Sequence, residues 1–203
     1  EICSYFAELD RMIGLHQRKH EKLVTLKKAM LKKMFPQNGA TTPEIRFKDF
    51  SEPWEERKLG DEVIITMGQS PSGANYTNNP TDFVLVQGNA DMKNGYVTPR
   101  VWTTQVTKTA NVGDLILSVR APVGEVGKTG YDVVLGRGVA GIKGNEFIFQ
   151  SLLRMNELGY WTQFSSGSTF DSINSADLRE AVLVIPNKAE QQKIGTYFRQ
   201  LDE

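Results

Sequence analysis

The chain opens on "EICSYFAELDR" (residues 1–11) and closes on "KIGTYFRQLDE" (residues 193–203). At an offset of 192 places, Ile2/Ile194, Tyr5/Tyr197, Phe6/Phe198, Leu9/Leu201 and Asp10/Asp202 coincide, five identities in eleven positions. Ordinary composition gives about one at most. A repeat of such long period predicts a helix, a body of different character, and the first turns of a second copy of that helix.

The first helix is expected over residues 2–34. With a and d positions seven residues apart, its seam runs Ile2, Tyr5, Leu9, Met12, His16, Lys19, Leu23, Leu26, Met30, Lys33, of which seven of ten are apolar. That is coiled-coil-like spacing, interrupted by His16, Lys19 and Lys33. The packing interface is therefore expected at Ile2, Tyr5, Leu9, Met12, Leu23, Leu26 and Met30. Pro36, Gly39 and Pro43 in "MFPQNGATTP" end the helix. A last helix is expected from about 188, where Asn187 sits three residues ahead of Glu190 as N-cap and N3 carboxylate.

Between the helices the period changes. Runs rich in β-branched residues ("EVIITM", "DFVLVQ", "VWTTQVT", "DLILSV", "YDVVL", "AVLVI") alternate with Gly, Asn and Pro clusters and read as strands. One helix is expected near 146–160 and a short one after Ser175. The fold class is α+β: a long coiled-coil-like helix (1–36), a mixed, mainly β domain (44–187), and the start of a second long helix (188–203).

Composition sets bounds on function. Twenty-four Lys+Arg balance twenty-four Asp+Glu, but the charge is segmental: residues 1–35 carry eight basic against four acidic groups, and residues 36–187 thirteen against seventeen. Within that acidic body, residues 87–143 hold seven basic and four acidic groups. Charge by segment bears on partners more than the total does. No apolar run has the eighteen or so residues that a membrane helix needs, and no signal segment is seen. One cysteine, Cys3, makes no internal disulfide. The expectation is a cytoplasmic protein with no membrane partner.

Catalytic motifs fail on context. "GRGVAG" (136–141) matches G-x-G-x-x-G, yet Gly144 and Asn145 stand where a dinucleotide site needs a helix, so a glycine-supported turn is expected. "GKT" (127–129) has Pro122 where a P-loop needs glycine. "GQSPSG" (68–73) fails G-x-S-x-G at Ser72, and both histidines lie in the helix. His16 and His20 share a helix face but find no third ligand nearby. Pro80, Asp82, Asp91 and Lys93 only faintly match a metal-dependent nuclease pattern. "NNPT" is not the string that holds a target adenine. No metal and no catalytic residue is assigned.

A polar surface remains. Residues 87–143 interleave Gln87, Asn89, Lys93, Asn94, Arg100, Trp102, Gln105, Lys108, Arg120, Arg137 and Lys143 with strands and glycine turns. Arg, Lys, Asn and Gln are the side chains that contact phosphates and base edges.

The strings "WEERKLGD" (54–61), "MGQSPSG" (67–73), "GDLILSVRAPVGEVG" (113–127) and "SSGSTFDSINSADLREAVLVIP" (165–186) resemble a target recognition domain of type I restriction-modification specificity subunits. "LHQRKHEKLVTLKKAMLKKMFP" (15–36) and "EQQKIGTYFRQLDE" (190–203) are similar to that family's conserved spacer helix, joined across the repeat. The resemblance implies two recognition domains in a full subunit, held apart by antiparallel helices, each reading half of a bipartite DNA site. This chain would be a piece of such a subunit: the first spacer helix, the second recognition domain and the start of the second helix. A 33-residue helix spans about 50 Å, roughly fifteen base pairs.

The implied role is non-catalytic recognition of double-stranded DNA. Modification subunits would supply S-adenosylmethionine-dependent adenine methylation; motor-nuclease restriction subunits would supply translocation and cleavage with ATP and Mg²⁺. No cofactor is expected on this chain, and self-association through the helices is a further possibility. DNA contacts are expected in loops near 69–78, 87–108, 118–122 and 165–170, at Gln69, Ser70, Ser72, Tyr76, Gln87, Asn89, Lys93, Arg100, Lys108, Arg120, Arg137, Ser166 and Ser168. Two alternatives are a coiled-coil adapter whose β-rich body binds protein, and a Mg²⁺-dependent nuclease using Asp91.

Overall fold

A computed structural model describes residues 2–37, 39–164 and 172–202, with residues 2 and 3 by their backbone alone. The helices are α1 (Ile2–Lys33), α2 (Leu59–Glu62), α3 (Glu146–Glu157), α4 (Ser175–Glu180) and α5 (Lys188–Asp202). The first strands are β1 (Glu55–Lys58), β2 (Ile64–Met67), β3 (Tyr76–Thr77), β4 (Phe83–Val86), β5 (Met92–Lys93), β6 (Tyr96–Val97) and β7 (Val101–Thr103). After them come β8 (Thr109–Ala110), β9 (Leu115–Ser118), β10 (Val126–Lys128), β11 (Val133–Leu135), β12 (Val139–Lys143) and β13 (Val182–Ile185). This is the mixed helix-and-sheet class expected. The chain divides into two compact units, Glu1–Glu55 with Pro186–Glu203, and Glu56–Ile185.

The first unit is built on α1 and α5. Lys27 Nζ lies 2.7 Å from Asp202 Oδ1, and the Phe35 ring centroid is 6.0 Å from that of Phe198. Residue numbers rise along one helix as they fall along the other, so the two run antiparallel. Residues 34–55 form a strap. Glu190 anchors it: the carboxylate is fully buried and receives both Nε (2.7 Å) and Nη2 (2.8 Å) of Arg46. Asn187 Oδ1 accepts the Glu190 N–H at 3.0 Å, the N-cap the sequence predicts. Trp54 and Phe198 are buried beside Phe35, and Phe47 meets Tyr197 edge-on at 6.4 Å. Residues 44–55, grouped by sequence with the β-rich body, cluster here with the helices.

The repeated residues have different surroundings. Phe198 is buried and Asp202 is paired, whereas Phe6 is 59% and Tyr5 64% exposed. Of the predicted seam, Leu9, Leu23 and Met30 are half-buried and Met12 and Leu26 are exposed; the side chain of Ile2 lies outside the described residues. Among the described apolar side chains of α1 and the residues just beyond it, burial is complete at Leu31, Met34 and Phe35, near its C-terminal end. Asp202, the last described residue of α5, meets Lys27.

The second unit packs a six-stranded sheet (order β2-β12-β9-β10-β6-β5) on a five-stranded one (order β3-β7-β4-β11-β8), beside the β1–β13 pair. Val84, Val86, Val133 and Leu135 of the smaller sheet meet Val97, Ile116 and Val139 of the larger in one buried cluster. Alternation explains β9, which is buried on both faces: Ile116 joins that cluster, while Leu115 points the other way, where a Cβ on Gly144 would meet both Leu115 and Ile148 of α3. Asn145 caps α3, its side chain accepting the Ile148 N–H at 2.9 Å. Lys128 pairs with Glu146 at 2.7 Å and lies 4.2 Å over the Phe149 ring. Among the described residues, no helix is long and apolar enough to cross a membrane.

Candidate nucleic-acid interface

Four connections of the second unit meet at the ends of β4 and β11. The β2–β3 loop enters through Gly68, whose N–H donates to Val139 O (3.0 Å), and Gln69, whose N–H donates to Leu135 O (2.8 Å). The β11–β12 turn enters through Gly136, donating to Val86 O at 2.7 Å. The β7–β8 connection is the third, with Leu135 N–H donating to Lys108 O at 2.7 Å and the Thr107 hydroxyl donating to Gln69 O at 2.5 Å. The β4–β5 loop begins directly at Gln87.

This crossing is backbone on backbone. A Cβ on Gly68 would overlap the carbonyl oxygen of Gly136, and one on Gly138 would overlap that of Gln87. Glycine is needed here for close approach rather than for a dinucleotide. In "GRGVAG", residues 136–138 form the expected turn, and the rest is strand β12.

Side chains then fix the loops. Ser70 Oγ accepts the Arg137 N–H at 3.0 Å. Gln105 Oε1 accepts both the Ser72 N–H and Asn75 Nδ2, each at 2.8 Å. Gln87 Nε2 donates to Tyr76 Oη at 2.9 Å. Asp91, 3% exposed, accepts the Gln87 N–H (2.7 Å) and Gly88 N–H (3.2 Å) on one oxygen. Its other oxygen lies 3.5 Å from Arg100 Nε, and Arg100 Nη1 donates to Ala90 O at 3.1 Å. Asp91 is thus a loop organiser, and no group of three or more metal-ligating side chains occurs among the described residues.

The structure brings Gln69, Ser70, Tyr76, Gln87, Lys108 and Arg137 together through these bonds. Arg120 adjoins them, since Val119 N–H donates to Gly138 O at 2.8 Å. Arg120 itself bridges to Ser172, and the Ser118 hydroxyl holds the Arg120 and Pro122 carbonyls, each at 2.9 Å. Ser72 and Asn89 flank the group. Arg100 stands behind the β4–β5 loop, and Lys93 lies in β5 at the edge of the larger sheet, paired with Tyr96. Ser166 and Ser168 lie outside the described residues.

The side chains of Lys108, Arg120 and Arg137 are exposed and form no ion pair among the described residues. Three cations with no ion-pair partner among the described residues, on crossed loops, suit a polyanion. Sequence reading assigned no positioning role to Asp91, Ser118, Gln105 and Thr107. Each is a polar residue in a turn-rich stretch, where a side chain substitutes for a backbone partner.

A family model for the type I restriction modification DNA specificity domain matches residues 51–203. A Methanocaldococcus jannaschii protein assigned as the MjaX type I restriction enzyme specificity subunit is 30% identical over 215 residues, covering 100% of this chain and 50% of its own length. A chain from a structure on complex assembly and conformational transition of the type I R-M system superposes with a TM-score of 0.72 at 27% identity, over 98% of this chain and 50% of that one. The crystal structure of the HsdS subunit from Thermoanaerobacter tengcongensis gives a TM-score of 0.69 at 26% identity, over 96% and 47%. The chain spans about half the length of the relatives it matches. By the match over residues 51–203, which cover a strand-rich stretch and the helix α5 that follows it, the chain belongs to the type I restriction-modification DNA specificity domain family.

Proposed function

We propose that this chain reads one half of a bipartite site in double-stranded DNA and directs partner subunits to it without catalysing a reaction. The observation that carries this reading is the crossed-loop surface with Lys108, Arg120 and Arg137 exposed and in no ion pair among the described residues, on a chain whose family is defined by DNA specificity. Cations and hydrogen-bonding side chains on one preorganised surface supply both parts of DNA recognition: phosphate contacts that position and base contacts that specify.

Chemistry then belongs to the partners. Modification subunits carry the S-adenosylmethionine-dependent methylation, and restriction subunits the ATP- and Mg²⁺-dependent steps. The helices serve as spacer and docking element. The repeat supports this: Tyr5, Phe6 and Asp10 duplicate Tyr197, Phe198 and Asp202, which are seated against the strap and Lys27. The exposed first turns of α1 call for an equivalent seat, on a second helix of the same subunit or a second copy.

The test assembles the complete subunit with its modification subunit and S-adenosylmethionine, then maps methylated adenines over a randomised duplex library. A bipartite motif, one half of which changes when residues 44–186 are exchanged, is the expected result. A motif indifferent to that exchange would overturn the reading.

A further inference from the structure

We infer that Gln87 reads an adenine in the half-site, with Tyr76 as its positioning residue, while Arg137 and Lys108 meet phosphate. This rests on the DNA-reading function proposed above and assigns the base-specific step within it.

The candidates differ in how they are held. Lys108 and Arg137 are exposed side chains whose charged ends have no partner among the described residues. Long side chains of that kind lose rotamer entropy on docking and give positional, sequence-tolerant attraction. Gln87 is half-buried and already anchored. Its N–H is fixed by the buried Asp91 carboxylate at 2.7 Å, its carbonyl lies under Gly138, and its amide nitrogen donates to Tyr76 Oη at 2.9 Å. A side chain immobilised in advance costs less to dock and discriminates more sharply.

The remaining hydrogen-bonding capacity names the base. An amide has two N–H donors and one oxygen acceptor. Tyr76 takes one donor, leaving one N–H and Oε1, which has no partner among the described residues and is not a buried unsatisfied atom. One donor beside one acceptor complements adenine in the major groove, whose N7 accepts and whose N6 amine donates. Guanine offers two acceptors there, O6 and N7, so it would leave Oε1 facing an acceptor. The same geometry therefore favours adenine and penalises guanine.

The experiment maps methylation on a randomised library with the complete subunit in its modification complex, for wild type, Gln87→Ala, Gln87→Glu and Tyr76→Phe. In wild type, one position of the half-site contributed by this chain is expected to require adenine. Gln87→Ala should relax that position alone, by about 5- to 150-fold in discrimination. Gln87→Glu removes the donor, and preference should move to cytosine, whose N4 amine donates to a carboxylate. Tyr76→Phe should blur the same position while leaving the slope of affinity against salt unchanged, which a merely structural role would not do.

An unaltered motif in Gln87→Ala overturns the inference. So does an equal loss at all sequences with unchanged melting, which would make Gln87 a backbone contact. If Gln87→Ala does not fold, the near-isosteric Gln87→Glu decides alone: retained adenine overturns the assignment. A wild-type complex without any motif would refute the underlying function instead.

Discussion

Arg46 and Glu190 form a bidentate ion pair across 144 residues of sequence, with Nε and Nη2 at 2.7 and 2.8 Å from the two carboxylate oxygens. Glu190 is fully buried, and Arg46 Nη2 also donates to Glu52 O. The pair ties the strap to the first turn of α5, so the helix and its seat are fixed by one interaction. The Glu190 hydrogen bond holds the Arg46 guanidinium proton more tightly than usual.

Removing one partner leaves the other charge buried. Arg46→Met is expected to lower unfolding stability by about 3–5 kcal/mol, read from denaturant midpoints. A raised arginine pKa stabilises the fold at every pH below the ordinary arginine value and ceases to do so only above it. The guanidinium's contribution should therefore persist through neutral and mildly alkaline pH. A deficit that vanished between about pH 7 and 9 would contradict this ionisation.

The repeat allows a paired test. Phe198→Ala should cost about 3–5 kcal/mol, the usual loss for a buried phenylalanine, because its ring packs against Phe35. Phe6→Ala, the same residue one repeat earlier and 59% exposed, should stay within about 0.5 kcal/mol. Equal losses in the two variants would mean that Phe6 is buried in solution.

The crossed loops have no room for side chains. Gly138→Ala and Gly68→Ala are each expected to destabilise by about 1–3 kcal/mol, since the obstructing atoms are backbone carbonyls. Each should also weaken DNA binding, because Gln87 and Arg137 are displaced together. Calorimetry and fluorescence anisotropy on the same variant separate the two effects.

Phosphate contacts are legible in salt. Binding of the isolated chain to duplex DNA is expected to be weak and salt-sensitive, given the surplus of acidic groups between residues 36 and 187. Arg137→Ala and Lys108→Ala should each reduce the slope of log affinity against log salt by about 0.9. Tight, salt-insensitive binding of random duplex would refute this.

Asp91 separates recognition from nuclease chemistry. Asp91→Ala strips two loop N–H groups of their acceptor and should cost about 1–3 kcal/mol, with blurred sequence preference. Nicking in Mg²⁺ should be absent from both wild type and variant. Wild-type nicking lost in the variant would revive the catalytic alternative.

Long-period and strongly periodic features were legible from residues alone. The offset of 192 located both helices, Pro36 and Asn187 marked where one stops and the other starts, and β-branched runs placed β2, β4, β7, β9, β11 and β13. These signals are local: a proline lacks its N–H, an asparagine caps, and an apolar run at period two buries one face. The strands that escaped are two or three residues long, or polar like β1, or glycine-bearing like β12. Gly141 looks like a breaker in sequence, but in the sheet its missing side chain leaves room for Leu135 and Ala110. The sequence likewise supplied the polar residues of the candidate interface without ranking them. Only the tertiary structure, by crossing four connections at Gly68, Gly136 and Gly138, decided that Gln87 is held by Tyr76 and Asp91 while Arg137 and Lys108 find no side-chain partner among the described residues. Such ranking depends on contacts between residues as far apart as Gly68 and Val139, which no local pattern encodes.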